Sequence, residues 1–237
     1  MIDPHIARLD YPKIPIKLRI TTPTEQSFRQ NACAKEPFTT AWLEGLPKGA
    51  SPYDLGANVG SYALLAIALG LQVVALEPGY ANFARLCDNL VLNNYLDKCV
   101  ALQCAVAGQN RLDWFQYRDL SPGAASHIIG QPPGQKPIFF HRQAVQVWRL
   151  DDLVSFWKLP PPQYLKLDID GGESQALAGA EETLKGVQGM MAEVKPDQEA
   201  GILAHLSERG FDLQARFDTR NGRPMGIAYI QVARRAA

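Results

Sequence analysis

Asp54-Leu55-Gly56-Ala57-Asn58-Val59-Gly60 is the stretch whose reading decides the fold. It follows a short apolar run, Ser51 to Leu55, and opens an Ala/Leu-rich helix, Ser61 to Leu69. A glycine-rich turn between a strand and a helix is the ligand loop of a Rossmann-type sheet. Glycine permits the tight turn and lets the backbone approach a ligand closely. Outward from this loop, strands and helices alternate. Leu71–Leu76, Val100–Val106, Gln163–Ile169 and Gly189–Val194 read as strands, and Ala81–Asn93, Leu150–Trp157 and Glu173–Leu184 as helices. That alternation predicts a parallel sheet covered on both faces. Phe211–Phe217 and Met225–Val232, joined by Asn221-Gly222, predict an antiparallel hairpin. The expected fold is α/β: a Rossmann-like, seven-stranded, mostly parallel sheet with a C-terminal antiparallel hairpin. Residues 1–50 read as an N-terminal extension packing on the core, with a short strand within Ile14–Thr21 and a helix over Pro37–Leu46. Residues 51–237 read as the core domain, with a Pro/Gly-rich hairpin and lid inserted at about 108–148.

The spacing of the loop differs from the dinucleotide pattern G-x-G-x-x-G. Gly56, Asn58 and Gly60 stand at alternate positions, with Asp54 two residues before the first glycine. A pyrophosphate favours free N–H groups and no nearby carboxylate. An acid at the strand end suits a ligand with a cationic amino-acid group, such as the methionine part of S-adenosylmethionine. Glu77 stands 23 residues after Asp54, at the end of the next strand. Alone it would read as a surface acid; behind this loop it reads as the acceptor of ribose hydroxyls. Lys166, Asp168, Asp170 and Glu173 then crowd the end of a central strand, alternating with Leu165, Leu167 and Ile169. Open α/β sheets bind ligands at such strand ends. Acids concentrated there are unfavourable unless a cation, metal or substrate pairs with them. Glu173 also reads as an acid favouring the next helix N-terminus. Glu193 ends the following strand and would face the same crevice. The insert carries His127, Phe139, Phe140 and His141, expected to cover the site.

Composition narrows the partners. The chain has 237 residues, with Lys+Arg and Asp+Glu at 24 each, so charge gives no reason to expect nucleic acid or an anionic membrane. Cys33, Cys87, Cys99 and Cys104 form no C-x-x-C pair and lie away from the histidines at metal-ligand spacing, so they read as reduced thiols. The N-terminus has no apolar leader, and no apolar stretch is long enough to span a bilayer. The expectation is a cytoplasmic protein acting on a small molecule or glycan, with a homodimer left open.

With these residues in hand, the chain resembles the FkbM family of S-adenosylmethionine-dependent methyltransferases, from about Lys35 to Glu193. KEPFTTAWLEGL (35–46) is similar to its leading helix, DLGANVGSYALLA (54–66) to its cofactor loop, and VVALEPGYANFARLCDNLVLNN (73–94) to its second strand and helix. LQCAVAG (102–108) resembles the third strand, which borders the adenine, and GAASHIIG (123–130) a segment usually written with two serines and a histidine. VQVWRLDDL (145–153) resembles the lead into the helix before strand four, and LKLDIDGGESQALAGAEETL (165–184) the K-I-D-V-E-G-x-E block. Two positions depart from the pattern. Ala125 replaces one serine, and Asp170 stands where many members have Glu, a reach shorter by one methylene.

Carried onto this sequence, the resemblance implies a class I methyltransferase fold. It places the cofactor against Asp54, Gly56, Ala57, Asn58, Gly60, Ser61, Tyr62, Glu77, Pro78, Asn82, Ala105, Val106 and Asp168. It implies O-methylation of a sugar, glycan precursor or natural product. An alcohol must lose its proton during transfer, and Asp168 is the first candidate to take it, followed by Asp170, Glu173 and His127, with Lys166 orienting the acids. A second reading gives Asp168, Asp170 and Glu193 to a Mg²⁺ or Ca²⁺ ion. Two other functions compete: a non-catalytic module that binds the same cofactor, and a nicotinamide oxidoreductase, which would need the absent G-x-G-x-x-G.

Overall fold

A computed structural model describes residues 5–130, 141–220 and 223–235. The chain opens with an antiparallel ladder of β1 (Ile6–Arg8) and β2 (Lys17–Arg19), then a π-helical turn, Glu25–Arg29. Helices α1 (Ala32–Lys35) and α2 (Pro37–Glu44) follow. Pro37 starts α2 at a position whose N–H needs no helical partner. The first half of the core is β3 (Pro52–Leu55), α3 (Ser61–Ala68), β4 (Val73–Leu76), α4 (Tyr80–Leu92) and β5 (Cys99–Leu102). The insert contributes β6 (Ala105–Val106), β7 (Arg111–Tyr117), β8 (Ile128–Ile129) and β9 (His141–Trp148). The second half is α5 (Leu150–Trp157), β10 (Tyr164–Leu167), α6 (Glu173–Ala178), α7 (Glu181–Leu184), β11 (Gly189–Val194), α8 (Pro196–Glu208), β12 (Phe211–Arg220) and β13 (Arg223–Arg234).

Seven strands form the large sheet in the order β12-β13-β11-β10-β3-β4-β5. The five from β11 to β5 run parallel, and the closing hairpin is antiparallel, as the sequence predicts. β3 and β4 are buried at every position because helices cover both faces. On one face Leu55, Leu76 and Leu167 pack with α5, α6 and α8. On the other, Val73, Ala75 and Met191 pack with α3, α4 and the N-terminal residues Leu18, Trp42 and Leu43. The chain leaves β3 toward β4 on one side and later returns as β10 on the other. That reversal opens a crevice at the C-terminal ends of β3 and β10, where sheets of this kind bind ligands.

Three elements differ from the sequence reading. Val100–Val106 is not one strand: β5 ends at Leu102 and β6 joins a second, four-stranded sheet, β6-β9-β7-β8. A continuous apolar run looks the same whichever sheet its halves enter. The insert is therefore a built wall with its own core of Phe115, Tyr117, Val145 and Val147. Glu173–Leu184 breaks at Gly179, where a Cβ would lie 2.2 Å from the Ala107 carbonyl oxygen. The connection Gln131-Pro132-Pro133-Gly134, Phe139, Phe140 and the Asn221-Gly222 turn lie outside the described residues. Among the described residues no helix is long and apolar enough to cross a membrane.

Candidate active site

The loop after β3 is fixed by close approach. Gly56 has φ +88°, and a Cβ there would lie 1.9 Å from the Asp168 carbonyl oxygen, so only glycine fits. Asp168 N–H in turn donates to Leu55 O at 3.0 Å, joining the loops that follow β3 and β10. Asn58 adopts φ +52°, a region asparagine tolerates. Its Nδ2 donates to Ala124 O at 2.8 Å and its Oδ1 accepts from Val59 N–H at 2.9 Å. Every amide of the loop has an acceptor. Gly56 and Ala57 donate to Leu76 O (2.9 and 3.0 Å), Gly60 to Ala57 O (2.9 Å), and Asn58 to Glu77 Oε2 (2.9 Å). The loop thus offers no free N–H cradle for a pyrophosphate.

Two adjoining cavities meet at this loop and share Arg29, Gly56, Asn58 and Asp168. The larger encloses about 690 Å³, open to solvent, above the ends of β3, β4 and β10. The smaller, about 330 Å³, lies between the loop, α3 and the N-terminal segment. Glu77 borders the larger one. Its oxygens accept from Gly79 N–H (2.8 Å) and Asn58 N–H (2.9 Å), and each retains acceptor capacity. Burial pushes its carboxyl up to about 7 despite those two bonds. Val106, Phe115 and Ile129 add an apolar wall beside it. A hydroxylated ring next to a flat base fits this pairing of acceptor and apolar surface. Asn82 holds the insert over the cavity: Oδ1 accepts from Gly123 N–H (2.8 Å) and Nδ2 donates to Ala124 O (3.1 Å).

The charges are distributed by register. Lys166 on β10 lies opposite Asp54 on β3, with Nζ 3.2 Å from Asp54 Oδ1 and 3.4 Å from Asp168 Oδ2. Burial alone would lower the ammonium, but Asp54, Asp168 and Glu36 outweigh it and keep Lys166 charged. Asp54 is 5% exposed and lines neither cavity. Its Oδ1 forms the ion pair with Lys166 Nζ. Burial opposes ionisation of Asp168 as well, yet Lys166, Lys35 and Arg29 outweigh it and hold it below the usual range. Asp170, at φ +60°, accepts from Ser126 N–H at 2.8 Å; burial and the Asp168 charge push it up to about 6.

The remaining acids and the histidines fall elsewhere. Glu173 is 1% exposed, and Oε1 accepts from Ile169 N–H (3.1 Å) and Gly171 N–H (3.0 Å). It ties the loop after β10 and lines neither cavity. His127 does border the larger cavity, edge-on to Phe115 and Tyr117. Burial pulls it down to about 4, and Nδ1 accepts from Arg118 N–H at 3.2 Å. The neutral ring then keeps its hydrogen on Nε2 and acts as a donor, not a base. His141 sits exposed at the start of β9 and lines neither cavity. Glu193 lies 2.8 Å from the Tyr229 hydroxyl, pushed up to about 8 by burial and Asp168. Asp168, Asp170 and Glu193 thus engage Lys166, Ser126 and Tyr229 separately. Among the described residues no group of three or more His, Cys, Asp or Glu side chains is placed to hold a metal ion, which corrects the oxygen-rich set.

Pro78, Ala105 and Val106 border the larger cavity; Ala57, Ser61, Tyr62 and Lys166 border the smaller. Ser61 Oγ donates to Arg29 O (2.9 Å) and Tyr62 OH to Ala32 O (2.8 Å), so both also fasten the N-terminal segment. Gly60 turns the chain at φ +91° and lines neither cavity. Arg29, Lys35, Glu36, Phe115 and Ile129 escaped the sequence reading, yet all border a cavity. The alternation along β7 could have marked Phe115; nothing in the sequence around Arg29 marks it.

The family described as the methyltransferase FkbM domain matches residues 54–213. No curated protein matches the chain. Among solved structures, a putative methyltransferase, yhhF, from Escherichia coli shares 14% identity at a TM-score of 0.54, covering 98% of this chain and 99% of that one. Magnesium protoporphyrin IX methyltransferase from Synechocystis PCC 6803, with bound SAM, shares 12% at 0.53, covering 88% and 85%. Precorrin-6y C5,15-methyltransferase from Geobacter metallireducens GS-15 shares 14% at 0.52, covering 85% and 87%. At these identities the likeness is one of fold.

Proposed function

The chain belongs to the FkbM methyltransferase family and is an S-adenosylmethionine-dependent methyltransferase; from that premise we propose that it methylates a hydroxyl oxygen of a sugar, glycan precursor or natural product. The observation that carries the oxygen reading is Asp170. Its carboxyl, at about 6, borders the larger cavity beside Asp168 and Ile169. A hydroxyl must give up its proton as the new C–O bond forms, and a base with pKa near the working pH takes it most effectively. Asp168, first in the sequence ranking, is held low by its cations and is the weaker base.

The donor supplies an electrophilic methyl on a sulfonium, a leaving group that needs no proton. The protein's task is therefore alignment and exclusion of water. Glu77 accepts the ribose hydroxyls, and Val106 and Phe115 flank the base. Asp168, at the junction of the cavities, faces the donor's positive groups. His127 Nε2–H donates to the acceptor, and Asp170 receives its hydroxyl proton. The occupied amides of the loop and the absent G-x-G-x-x-G speak against a nicotinamide dinucleotide. The balanced charge of the chain favours a small acceptor over a polyanion. Labelled donor incubated with cell extract, followed by mass spectrometry of the labelled product, tests the reading. A methyl ether supports it. An N-methyl or C-methyl product overturns it, and donor binding without any transfer favours the non-catalytic module.

A further inference from the structure

We propose that Arg29, from the N-terminal segment, binds the α-carboxylate of the methyl donor and so completes the cofactor site from outside the matched family region. The inference rests on the donor reading above and names the group that recognises its amino-acid end.

The argument begins with donors. A zwitterionic amino acid carries an anion that must be matched when it leaves water. The loop cannot match it, because each amide from Gly56 to Gly60 is already bonded within the protein. The match must come from a side chain at the smaller cavity or from the start of α3. Three cations border that cavity: Arg29, Lys35 and Lys166. Lys35 Nζ lies 2.7 Å from Glu36 Oε1, and Lys166 is held between Asp54 and Asp168. Each is neutralised. Arg29 is different. Its Nε donates to Gly123 O at 2.9 Å, which fixes the guanidinium between the N-terminal segment and the insert. Its charge acts on Asp168 and Asp170 at longer range, but among the described residues no carboxylate lies within ion-pair distance of it, and the side chain's one hydrogen bond uses Nε, leaving the terminal N–H groups to face the cavity. A guanidinium fork suits a carboxylate in two-point contact.

The surroundings agree in sign. Ser61 and Tyr62 begin α3 at the same cavity, and the positive end of a helix dipole favours an anion there. Asp168 on the facing side suits the ammonium and sulfonium. Arg29 borders both cavities, so a carboxylate held by it lies in the smaller one while the adenosine extends past Glu77 in the larger. Arg29 also precedes residue 54, where the family match starts. The amino-acid end is thus read by a part of the chain that the family motifs do not include.

Two ligands separate this role from a structural one. S-adenosylhomocysteine carries the amino-acid end; 5′-methylthioadenosine keeps the adenosine and lacks it. Calorimetric titration of the full chain should show Arg29→Gln weakening S-adenosylhomocysteine about 10- to 100-fold, the loss of a charge-assisted bond. Methylthioadenosine affinity should stay within about twofold, which also reports an intact fold. Arg29→Lys, keeping charge without the fork, should fall between. Equal weakening of both ligands in both variants, or unchanged S-adenosylhomocysteine affinity, overturns the proposal. Wild-type protein that binds neither ligand overturns the donor reading together with it.

Discussion

At the scale of single residues, the roles proposed for Glu77 and Asp170 rest on how the fold shifts their protons. Glu77 is buried with two amide donors, and burial wins, leaving it near 7. In the proposed role, ribose hydroxyls donate to the ionised form. S-adenosylhomocysteine should therefore bind more tightly as pH rises from 6 to 8, and Glu77→Gln should weaken binding about tenfold or more and flatten that rise. A wild-type affinity that falls over the same range would sink the ribose role. In the free protein the sign is opposite. The folded state holds this proton more tightly than the unfolded chain, so Glu77's contribution to stability is lost as pH rises through about 7. Asp170→Asn should lower kcat by about 10²- to 10⁴-fold, the usual worth of a general base, with donor affinity changed only slightly. Steady-state kinetics paired with titration checks it. If Asp168→Asn alone abolishes turnover while Asp170→Asn does not, the proton belongs to Asp168.

At the scale of elements, the site depends on how α4 grips the insert. Asn82 holds Gly123 and Ala124, and Asn58 holds the same Ala124 carbonyl from the loop after β3. This clamp sets the stretch from Gly123 to Ile129 against the cavity and so places Ser126 and His127. Asn82→Ala leaves buried partners unsatisfied, at a cost of about 1–3 kcal/mol. Hydrogen exchange should speed up at residues 121–129 and donor affinity should fall, with the large sheet's protection little changed. Unchanged exchange in that stretch would show that the clamp is not needed. Helices α4 and α5 and strand β11 were legible, because periodic apolar residues and flanking turns fix them locally. The split of Val100–Val106 into β5 and β6 was not. Nothing within those seven residues says which neighbour each half will pair with.

At the scale of the whole molecule, the crevice exists because β3 and β10 become hydrogen-bonded neighbours, with Tyr53 paired to Leu165 and Leu55 to Leu167, each pair 112 positions apart in the chain. That pairing sets Lys166 between Asp54 and Asp168. Lys166→Met would leave Asp54 buried without its cation, destabilising the fold by about 3–5 kcal/mol, and adding Asp54→Asn should recover most of the loss. Chemical denaturation of the single and double variants measures it. Additive losses would mean that the two residues do not interact.

The sequence by itself determined the alternating architecture, the loop from Asp54 to Gly60, and the placing of Glu77, Ala105 and Val106 beside the crevice. Those features are local: a strand, a turn and a helix announce themselves through period, glycine spacing and the residue at a strand end. Only the tertiary structure decided that Asp54 belongs to Lys166, that Glu173 anchors a loop, that Glu193 turns to Tyr229, and that Arg29 reaches the cofactor crevice. Each depends on which distant partner a buried charge meets. A carboxylate's role follows from the nearest cation or amide, and that neighbour is set by packing, not by spacing along the chain.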